Sequence, residues 1–489
     1  MPHFHDLDED VVAQILVSLD IYTVLLLSRV NKSLRRLTFS KQLWIVLVLD
    51  LSSRYLIPHL HPIHNHTTAQ LITKVKNLVC GPATWSERSS IPPTVGFSRT
   101  FLGGSATFAQ SRILPGGRYF AVWRDSSLQC YDVLTGRSIW TGSVMMPQSW
   151  AMDMLPDGRA ANFLLLSQGR LSIVVVDLTT GNSDEVFSLN LDFQTAQYRH
   201  PILSGDLLAL GLVRYSPHKR VGIFIIDWRE ATYVIFESPA QPLFEVAFVP
   251  GHIILAPPAL EPPYDRLVSV YALNSIASRW RPIAEFVSHN ADVLFSQHIR
   301  LPEDVPSVVV ESLQHNNQIF RSEPDRAHVE IRMRVHANPI HDNVYKLGVY
   351  ASATAVTDTR PSLTETFRQK FQRGGASICA IGTMLFSYQL KLGGSKLSWM
   401  RTSVISNVPP LHTAPSWSYS GYVAICNGSS TRIVGPRSPR GFIRMLASQT
   451  VREVVTVSED GMEYTALSSA GVLLIRSLRD DRLEIRCYL

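Results

Sequence analysis

From residue 8 to about residue 80, apolar side chains recur at the spacing of an α-helix. The first stripe follows an acidic run at residues 8–10 and consists of Val11, Val12, Ile15, Leu16 and Leu19. Residues three and four apart share one face of a helix, and negative charge stabilises a helix N-terminus. The pattern therefore predicts a first helix that begins near residue 8.

Further short helices are predicted by side chains that can cap a helix N-terminus. These candidate caps are Asp20, Asn31 and Ser40. Another helical stretch opens at Thr68 and stops at Gly81-Pro82, a typical sequence just past a helix end. We therefore expect a small helical domain at residues 1–50 and a linker with one helix at residues 51–99.

The helical domain contains the run LDEDVVAQILVSLDIYTVLLLSRVNKSLRRLTFSKQLW, which begins at residue 7. The order of residues in this run resembles the F-box. The matching positions fall in order without a gap and are Leu7, Asp10, Val11, Val12, Ile15, Leu16, Leu19, Asp20, Leu25, Leu27, Ser28, Val30, Lys32, Arg35, Arg36, Leu43 and Trp44. The run departs from the family at Asp8 and Ile21, where proline is usual or frequent, and at Leu34, where an aromatic residue is common. An unrelated helical bundle with the same period is the alternative.

The resemblance implies that the helical domain docks on a partner. F-boxes bind a Skp-type adaptor, which connects them to a cullin scaffold in an SCF-type ubiquitin ligase. The residues implied as adaptor contacts are Leu7, Asp8, Val11, Val12, Ile15, Leu16, Leu25, Leu26, Val30 and Trp44. The helical stripe places Ile15 and Leu16 mostly inside the domain, so these two are expected to contribute more to packing.

Near residue 100 the pattern changes to short alternating or fully apolar runs. Clusters of Gly, Pro, Asn and Asp separate the runs, which is typical of β-strands joined by turns. Two turn sequences recur: LPGG at 114–117 returns as LPDG at 155–158, and DVLTG at 132–136 returns as DLTTG at 177–181. An interval near 45 residues is that of a four-stranded propeller blade.

The sequence thus predicts a mainly all-β protein in which the F-box and linker helix precede a β-propeller at residues 100–489. Dividing the strand region by the repeat interval gives about eight to nine blade lengths. Irregular stretches such as residues 351–376 take up part of this length, so we predict seven or eight blades. The region resembles degenerate Trp-Asp propellers, although Asp227-Trp228 has the reverse order of that signature. A different all-β array, such as two sandwiches, is the alternative.

Composition narrows the class of protein without naming a partner. The 489 residues are 45% hydrophobic and 18% charged with a net charge of +6, which excludes a collagen or a disordered chain and does not indicate nucleic-acid binding. Five widely spaced cysteines indicate neither a zinc site nor a disulfide framework, and no signal peptide or membrane segment stands out. We therefore expect a soluble protein of the cytoplasm and/or nucleus without a membrane partner.

The sequence indicates binding rather than catalysis. It contains no phosphate loop, zinc-protease helix, hydrolase elbow or calcium loop, so we expect no enzymatic activity and no cofactor. A histidine group in the linker has no Cys or carboxylate beside it and is expected to face solvent rather than bind a metal. Its members are His59, His61, His64 and His66.

An arginine-rich stretch without acidic residues, from Asn427 to Arg452, is the candidate substrate site. Planar guanidinium groups bind phosphate or carboxylate through paired hydrogen bonds. The residues predicted to bind substrate are Arg432, Arg437, Arg440 and Arg444. The alternative is that they lie on different strands and face water.

Together these features predict a substrate-recognition subunit of an SCF-type ubiquitin ligase. The F-box would bind the adaptor, and the propeller would bind an unknown protein substrate, phosphorylated or not. Such a subunit acts by raising the concentration of substrate lysines near a conjugating enzyme. Two alternatives are a propeller enzyme with a helical cap and a scaffold that binds the adaptor without ubiquitin transfer.

Overall fold

A computed structural model describes the chain over residues 8–54, 56–57, 63–86, 89–102, 111–124, 127–143, 149–155, 157–167, 169–191, 196–214, 220–238, 245–256, 265–288, 299–300, 304–315, 318–319, 327–356, 378–393, 396–406, 416–426, 430–435, 452–458, 462–468, 471–477 and 482–488. These residues form an N-terminal group of helices followed by β-sheets.

The first helices lie where the capping residues predict them. Their bounds are Glu9–Ser18 (α1), Ile21–Leu27 (α2), Lys32–Thr38 (α3), Lys41–Ser53 (α4) and Thr68–Cys80 (α5), and short 3₁₀ turns cover Ile63–Asn65 and Ala83–Trp85. The side chains of Asp20, Asn31 and Ser40 accept hydrogen bonds from backbone N–H groups of the helices that they precede. A capping box between Thr67 and Gln70 begins α5. The predicted caps and the predicted linker helix are therefore confirmed.

One apolar core holds these five helices together. Side chains that are no more than 1% exposed come from α4 and from α5 alike, including Trp44, Leu51, Leu71 and Val75. The helix predicted in the linker thus packs into the helical domain, which matters because four short helices alone bury little surface. We call the described residues from 8 to 86 the helical module. Within the described chain, no helix has the length and apolar composition needed to cross a membrane.

Strands dominate the rest of the described chain. Their bounds are Val95–Leu102 (β1), Ser111–Ile113 (β2), Tyr119–Arg124 (β3), Ser127–Asp132 (β4), Ser138–Ser143 (β5), Ser149–Met154 (β6), Ala160–Ser167 (β7), Arg170–Asp177 (β8), Ser183–Asn190 (β9), Ala196–Ser204 (β10), Leu207–Arg214 (β11), Arg220–Asp227 (β12), Thr232–Ser238 (β13), Val246–Val249 (β14), His252–Leu255 (β15), Leu267–Ala272 (β16), Arg281–Pro282 (β17), Ile299–Arg300 (β18), Val309–Ser312 (β19), Gln314–His315 (β20), Gln318–Ile319 (β21), Ala327–Ala337 (β22), Val344–Val356 (β23), Ile378–Gly393 (β24), Lys396–Ser406 (β25), Ser416–Trp417 (β26), Val423–Cys426 (β27), Ser430–Gly435 (β28), Arg452–Ser458 (β29), Met462–Leu467 (β30), Val472–Ser477 (β31) and Arg482–Tyr488 (β32). A 3₁₀ segment, Leu273–Arg279, and a short helix, Ile283–Ser288 (α6), lie between β16 and β18.

The strands form antiparallel meanders in chain order. Four-stranded sheets contain β2–β5, β6–β9, β22–β25 and β26–β29, and another joins β14–β16 with β19. The meander β10–β13 is extended by β17 and β18, and β20 pairs with β21. The sheet β30–β32 takes β1 as its outer strand, so the two ends of the strand region close on each other. We call the large sheets together the ring.

This topology is that of a β-propeller, in which each large sheet is a blade. The mainly β fold with preceding helices is therefore confirmed. The predicted count of seven or eight regular blades differs slightly from the structure, because six of the large sheets have four strands and the other, β10–β13 with β17 and β18, has six. After β16 the chain adds β17 and β18 to the edge of β13 before it returns as β19, and a repeat interval cannot reveal such a detour.

The two DxxxG sequences, and the sequence DWREA that begins at Asp227, form equivalent turns between the third and fourth strands of blades. The aspartate that opens each turn accepts hydrogen bonds from backbone N–H groups two and three residues further on, at Asp132, Asp177 and Asp227. Gly136 and Gly181 close two of the turns with positive φ, which glycine adopts readily. The sequence repeat therefore reflects a repeated turn chemistry.

Buried apolar clusters lie between neighbouring sheets around the whole ring. Trp140 and Phe163, for example, join the first two blades in chain order, and Phe120 packs with Leu474 of the closing blade. Each large sheet shares one cluster with the sheet before it and another with the sheet after it. The blades therefore bury their faces only against each other, as stacked repeats do.

Candidate interaction surfaces

The residues predicted to contact an adaptor separate into exposed and buried sets. Those that are exposed are Asp8, Val11, Ile15, Leu26 and Val30, and Leu25 is half-buried. Those that are no more than 4% exposed are Val12, Leu16 and Trp44. Leu7 lies outside the described residues.

Val12, Leu16 and Trp44 belong to the core of the helical module. The indole Nε1–H of Trp44 donates to the backbone carbonyl of Thr38 at 2.8 Å, which ties α4 to the end of α3. Val12 and Leu16 are one turn apart on the inner face of α1. Val12 and Trp44 therefore serve internal packing rather than the predicted contact surface, and Leu16 is internal as the helical stripe predicts. Ile15, expected to be mostly internal, is 41% exposed.

Four apolar residues of the predicted adaptor contacts remain at the surface. Val11 and Ile15 are one turn apart on α1, and Leu26 and Val30 lie at and just beyond the end of α2. Their exposed fractions range from 41% for Ile15 to 66% for Val30. We call these four residues the exposed apolar set. Several exposed large apolar side chains on a small domain are typical of a surface that binds a partner.

A buried tryptophan attaches the helical module to the ring. Trp85 is 1% exposed and packs edge-on against Tyr422 and Tyr488, with ring centroids 5.0 and 5.4 Å away. The hydroxyl of Tyr422 donates to the backbone carbonyl of Trp85 at 3.2 Å. Sequence reasoning missed this contact, because no local pattern links a lone tryptophan to a tyrosine 337 residues away.

Two glycines of the ring make room for the module. A Cβ on Gly158 would lie 2.3 Å from the Cα of Arg54, at the end of α4, and a Cβ on Gly471 would lie 2.3 Å from the side chain of Pro82. Both glycines also have positive φ, +70° and +80°. Only glycine therefore satisfies both the backbone conformation and the close approach. The LPDG turn that marks the repeat in the sequence is thus also a docking point.

The N-terminus of α2 rests on a turn of a different blade. The backbone N–H of Tyr22 donates to the carbonyl of Ile340 at 2.8 Å, and its ring stacks on His341 with centroids 4.4 Å apart. The carboxylate of Asp20, which caps α2, lies 3.6 Å from Nδ1 of His341. The ring therefore contributes to fixing this end of the helix.

These contacts place the module on one side of the ring. Gly158, Ile340, Tyr422 and Gly471 all lie in turns between the first and second strands of their blades. Successive turns of an antiparallel meander alternate between its two edges, so all first-to-second turns share one side of a propeller. The module therefore covers that side, and the turns between second and third strands belong to the opposite side.

One of the four predicted substrate-binding arginines lies among the described residues. Arg432 is exposed on β28, opposite Ile425 on one side and Thr456 on the other. Arg437, Arg440 and Arg444 lie outside the described residues. The shared anion site that the four would form therefore stays a prediction.

An ion-pair network joins the innermost strands of two blades. Arg332 of β22 donates to the carboxylates of Glu245, just before β14, at 2.8 Å and of Glu330 at 3.0 Å. Burial raises the pKa of Glu245, and the charge of Arg332 opposes that shift. Because the guanidinium has partners on both strands, the network serves to align the blades.

Two of the histidines considered as metal ligands, His64 and His66, are described, whereas His59 and His61 lie outside the described residues. In the described part of the chain, no three His, Cys, Asp or Glu side chains are grouped so that they could hold a metal ion.

Comparison with known proteins adds little to this picture. No family model matches the sequence, and no curated protein matches it. Among solved structures, the chain is similar to the β-propeller domain of Cps50 (Swd1) from Myceliophteria thermophila, with a TM-score of 0.41 and 11% identity, covering 81% of this chain and 99% of that chain. This similarity is too low to carry an argument, so the propeller assignment rests on the sheet topology.

Proposed function

We propose that this chain is the substrate-recognition subunit of an SCF-type ubiquitin ligase, active in the cytoplasm and/or nucleus. The helical module binds a Skp-type adaptor and through it a cullin, and the propeller binds a protein substrate. The observation that carries the proposal is the exposed apolar set, because apolar residues that the F-box resemblance assigns to the adaptor are 41% to 66% exposed. Side chains of this kind are stabilised by burial against a partner.

The attachment of the module to the ring supports a positioning mechanism. Trp85 and the close contact at Gly158 fix the module to one side of the propeller. A substrate bound to the ring then keeps a set distance from the adaptor, which raises the effective concentration of its lysines near the conjugating enzyme. In this mechanism the chain itself performs no chemistry.

Affinity purification of the full chain from cells tests the adaptor assignment. Val11→Glu with Ile15→Glu places two carboxylates on the docking surface, where burial of charge is unfavourable. We expect the adaptor and cullin to be lost from the purified complex. Because both side chains are more than two-fifths exposed, at 44% and 41%, the fold should be retained.

The matched control is Val186→Glu, a valine on β9 of the ring that is 46% exposed. This variant should recover adaptor and cullin as the wild type does. If the folded double variant recovers as much adaptor as Val186→Glu, the docking surface is wrongly assigned.

The substrate side of the proposal rests on the arginine-rich stretch of the sequence. Arg437→Ala with Arg440→Ala should weaken substrate capture while adaptor recovery stays unchanged, because charge-assisted hydrogen bonds to an acidic or phosphorylated segment would be lost. Phosphatase treatment of the substrate should have the same effect. Unchanged capture by the double variant would place the substrate elsewhere on the ring.

A further inference from the structure

Three basic side chains lie at the inner edge of the blade formed by β22–β25. His336 on β22 and Lys346 on β23 are directly opposite each other, and Arg334 lies two residues before His336 on the same face of the strand. The ammonium of Lys346 donates to the backbone carbonyl of Tyr419, in the next blade, at 3.1 Å. The basic cluster therefore lies between two neighbouring blades.

Two buried polar atoms beside this cluster have no hydrogen-bond partner among the described residues. They are Nε2 of His336 and Nε1 of Trp417. The indole of Trp417 lies against Gly348, 3.2 Å from the position of a Cβ, and Gly348 pairs with Arg334 across the strands. Both atoms thus belong to the same small region as the cations. Buried polar groups are normally paired, so a ligand that accepts hydrogen bonds would satisfy this site.

The charge of the cluster is not balanced locally. Among the described residues, neither Arg334 nor Lys346 forms an ion pair. Glu245 is the carboxylate that interacts electrostatically with Arg334, but it is already paired with Arg332. The site therefore carries excess positive charge on one exposed and one half-buried side chain.

Burial lowers the pKa values of two members of the cluster. It lowers the pKa of Lys346, and burial together with the charges of Arg334 and Lys346 lowers the pKa of His336 to about 4. His336 is therefore neutral at pH 7, and its Nε2 can donate a hydrogen bond when that nitrogen carries the proton.

We propose that Arg334, Lys346 and Trp417, with His336, form a binding site for a small oxyanion of the phosphate type. The side chains of arginine, lysine and tryptophan only donate hydrogen bonds, which suits a ligand that only accepts them. A metal cation would be repelled by the same groups. Arg334 is exposed, so one of the donors of the site is accessible to solvent. A bound anion would bridge β22 and β23 to the next blade.

Calorimetric titration of the full chain with inorganic phosphate at constant ionic strength tests this site. We expect saturable binding at one site per chain. Lys346→Met should weaken binding at least tenfold, because it removes one of the two positive charges of the site. Trp417→Phe keeps the aromatic packing and removes one N–H donor, so it should weaken binding by about three- to tenfold.

Lys391→Met is the matched control, because Lys391 is an exposed lysine on β24 of the same sheet. Its affinity for phosphate should equal that of the wild type. Circular dichroism shows whether each variant is folded. If Lys346→Met does not fold, the affinity of Trp417→Phe for phosphate tests the site. Equal binding by the wild type and Trp417→Phe, or no saturable binding by the wild type, would overturn the proposal.

A short phosphoserine peptide forms a second arm of the titration. Peptide binding tighter than that of inorganic phosphate would reject a small free anion as the ligand. Capture of the adaptor by Lys346→Met should equal that of the wild type, so the outcome for this site is separate from the outcome for the ubiquitin-ligase proposal.

Discussion

The helical module and the ring distribute apolar side chains differently. The module has one core for five helices, and eight of the fifteen large apolar side chains that are exposed in the described chain belong to it: Val11, Ile15, Val17, Tyr22, Leu26, Val30, Phe39 and Leu49. The ring is several times longer and buries its apolar residues between blades, so few remain outside. In a closed ring the blades cover each other's apolar faces, whereas the module keeps a larger share of its large apolar side chains exposed.

The strongest way to break the link between the two regions is Trp85→Ala. Removing a fully buried indole leaves a cavity between Tyr422 and Tyr488, so we expect a loss of about 3–5 kcal/mol in the free energy of unfolding. Denaturant unfolding measures this loss, and hydrogen exchange should rise first in the module. Phe39→Ala, at a side chain that is 44% exposed, is the control and should cost far less. A similar loss in the free energy of unfolding for both variants would show that Trp85 does not hold the module to the ring.

The contact at Gly158 can be isolated by comparing it with Gly251. Both glycines lie in first-to-second turns with similar φ, +70° and +74°, but a Cβ on Gly251 meets nothing within 4 Å. Gly251→Ala should therefore show only backbone strain, about 1 kcal/mol, whereas Gly158→Ala should cost about 2–4 kcal/mol because Arg54 must move. Thermal unfolding of the two variants gives the difference. An equal loss of stability for Gly158→Ala and Gly251→Ala would mean that Arg54 does not pack closely against the turn at Gly158.

Acid should affect the ring through His336. Burial, with Arg334 and Lys346, holds its folded-state pKa at about 4, against 6.5 for an ordinary histidine. Between pH 4 and pH 6.5 the unfolded chain binds a proton at His336 that the folded chain does not. The contribution of neutral His336 to the free energy of unfolding is therefore complete above pH 6.5 and is lost as the pH falls towards 4.

His336→Gln should therefore lose about 1–3 kcal/mol less stability than the wild type between pH 7 and pH 4. Urea unfolding at each pH, in a buffer without phosphate, measures the difference. Carboxylates that titrate in the same pH range contribute equally to both proteins, so their contributions cancel in the difference between the two curves. Parallel curves for the two proteins would show that His336 is not held neutral by its surroundings.

The smallest expected effect concerns the cap of α2. The carboxylate of Asp20 accepts hydrogen bonds from the backbone N–H and the hydroxyl of Thr23 at 2.8 and 2.9 Å. Asp20→Ala should cost about 1 kcal/mol, whereas Asp20→Asn keeps a good cap and should cost little. Thermal unfolding compares them. An equal loss for both would assign the role of Asp20 to its charge beside His341 rather than to capping.

Sequence reasoning succeeded where the signal is local. Asp20 and Ser40 predict their helices because a cap accepts a hydrogen bond from a residue three positions further on. The DxxxG turns are equally local, since their aspartates bond to backbone N–H groups two and three residues away. The order of the four-stranded meanders follows from the same period. The pairing of β17 and β18 with β13 interrupts the sequence repeat and was not predicted.

Contacts between distant segments left no such signal. The burial of Trp44 and the exposure of Ile15 depend on how α1 meets α4, which periodicity alone does not fix. The pairing of β1 with β32 and the site of Trp85 depend on residues hundreds of positions away. The exposed apolar set could be predicted as a group, but its exact members required the packed helices.

We propose that the module binds an adaptor through the exposed apolar set. Calorimetric titration of the purified full chain with a purified Skp-type adaptor tests it most directly. We predict one adaptor per chain, binding at least tenfold weaker for Val11→Glu with Ile15→Glu, and unchanged binding for Val186→Glu. No binding by the folded wild-type chain, or equal binding by the double variant, would contradict this account.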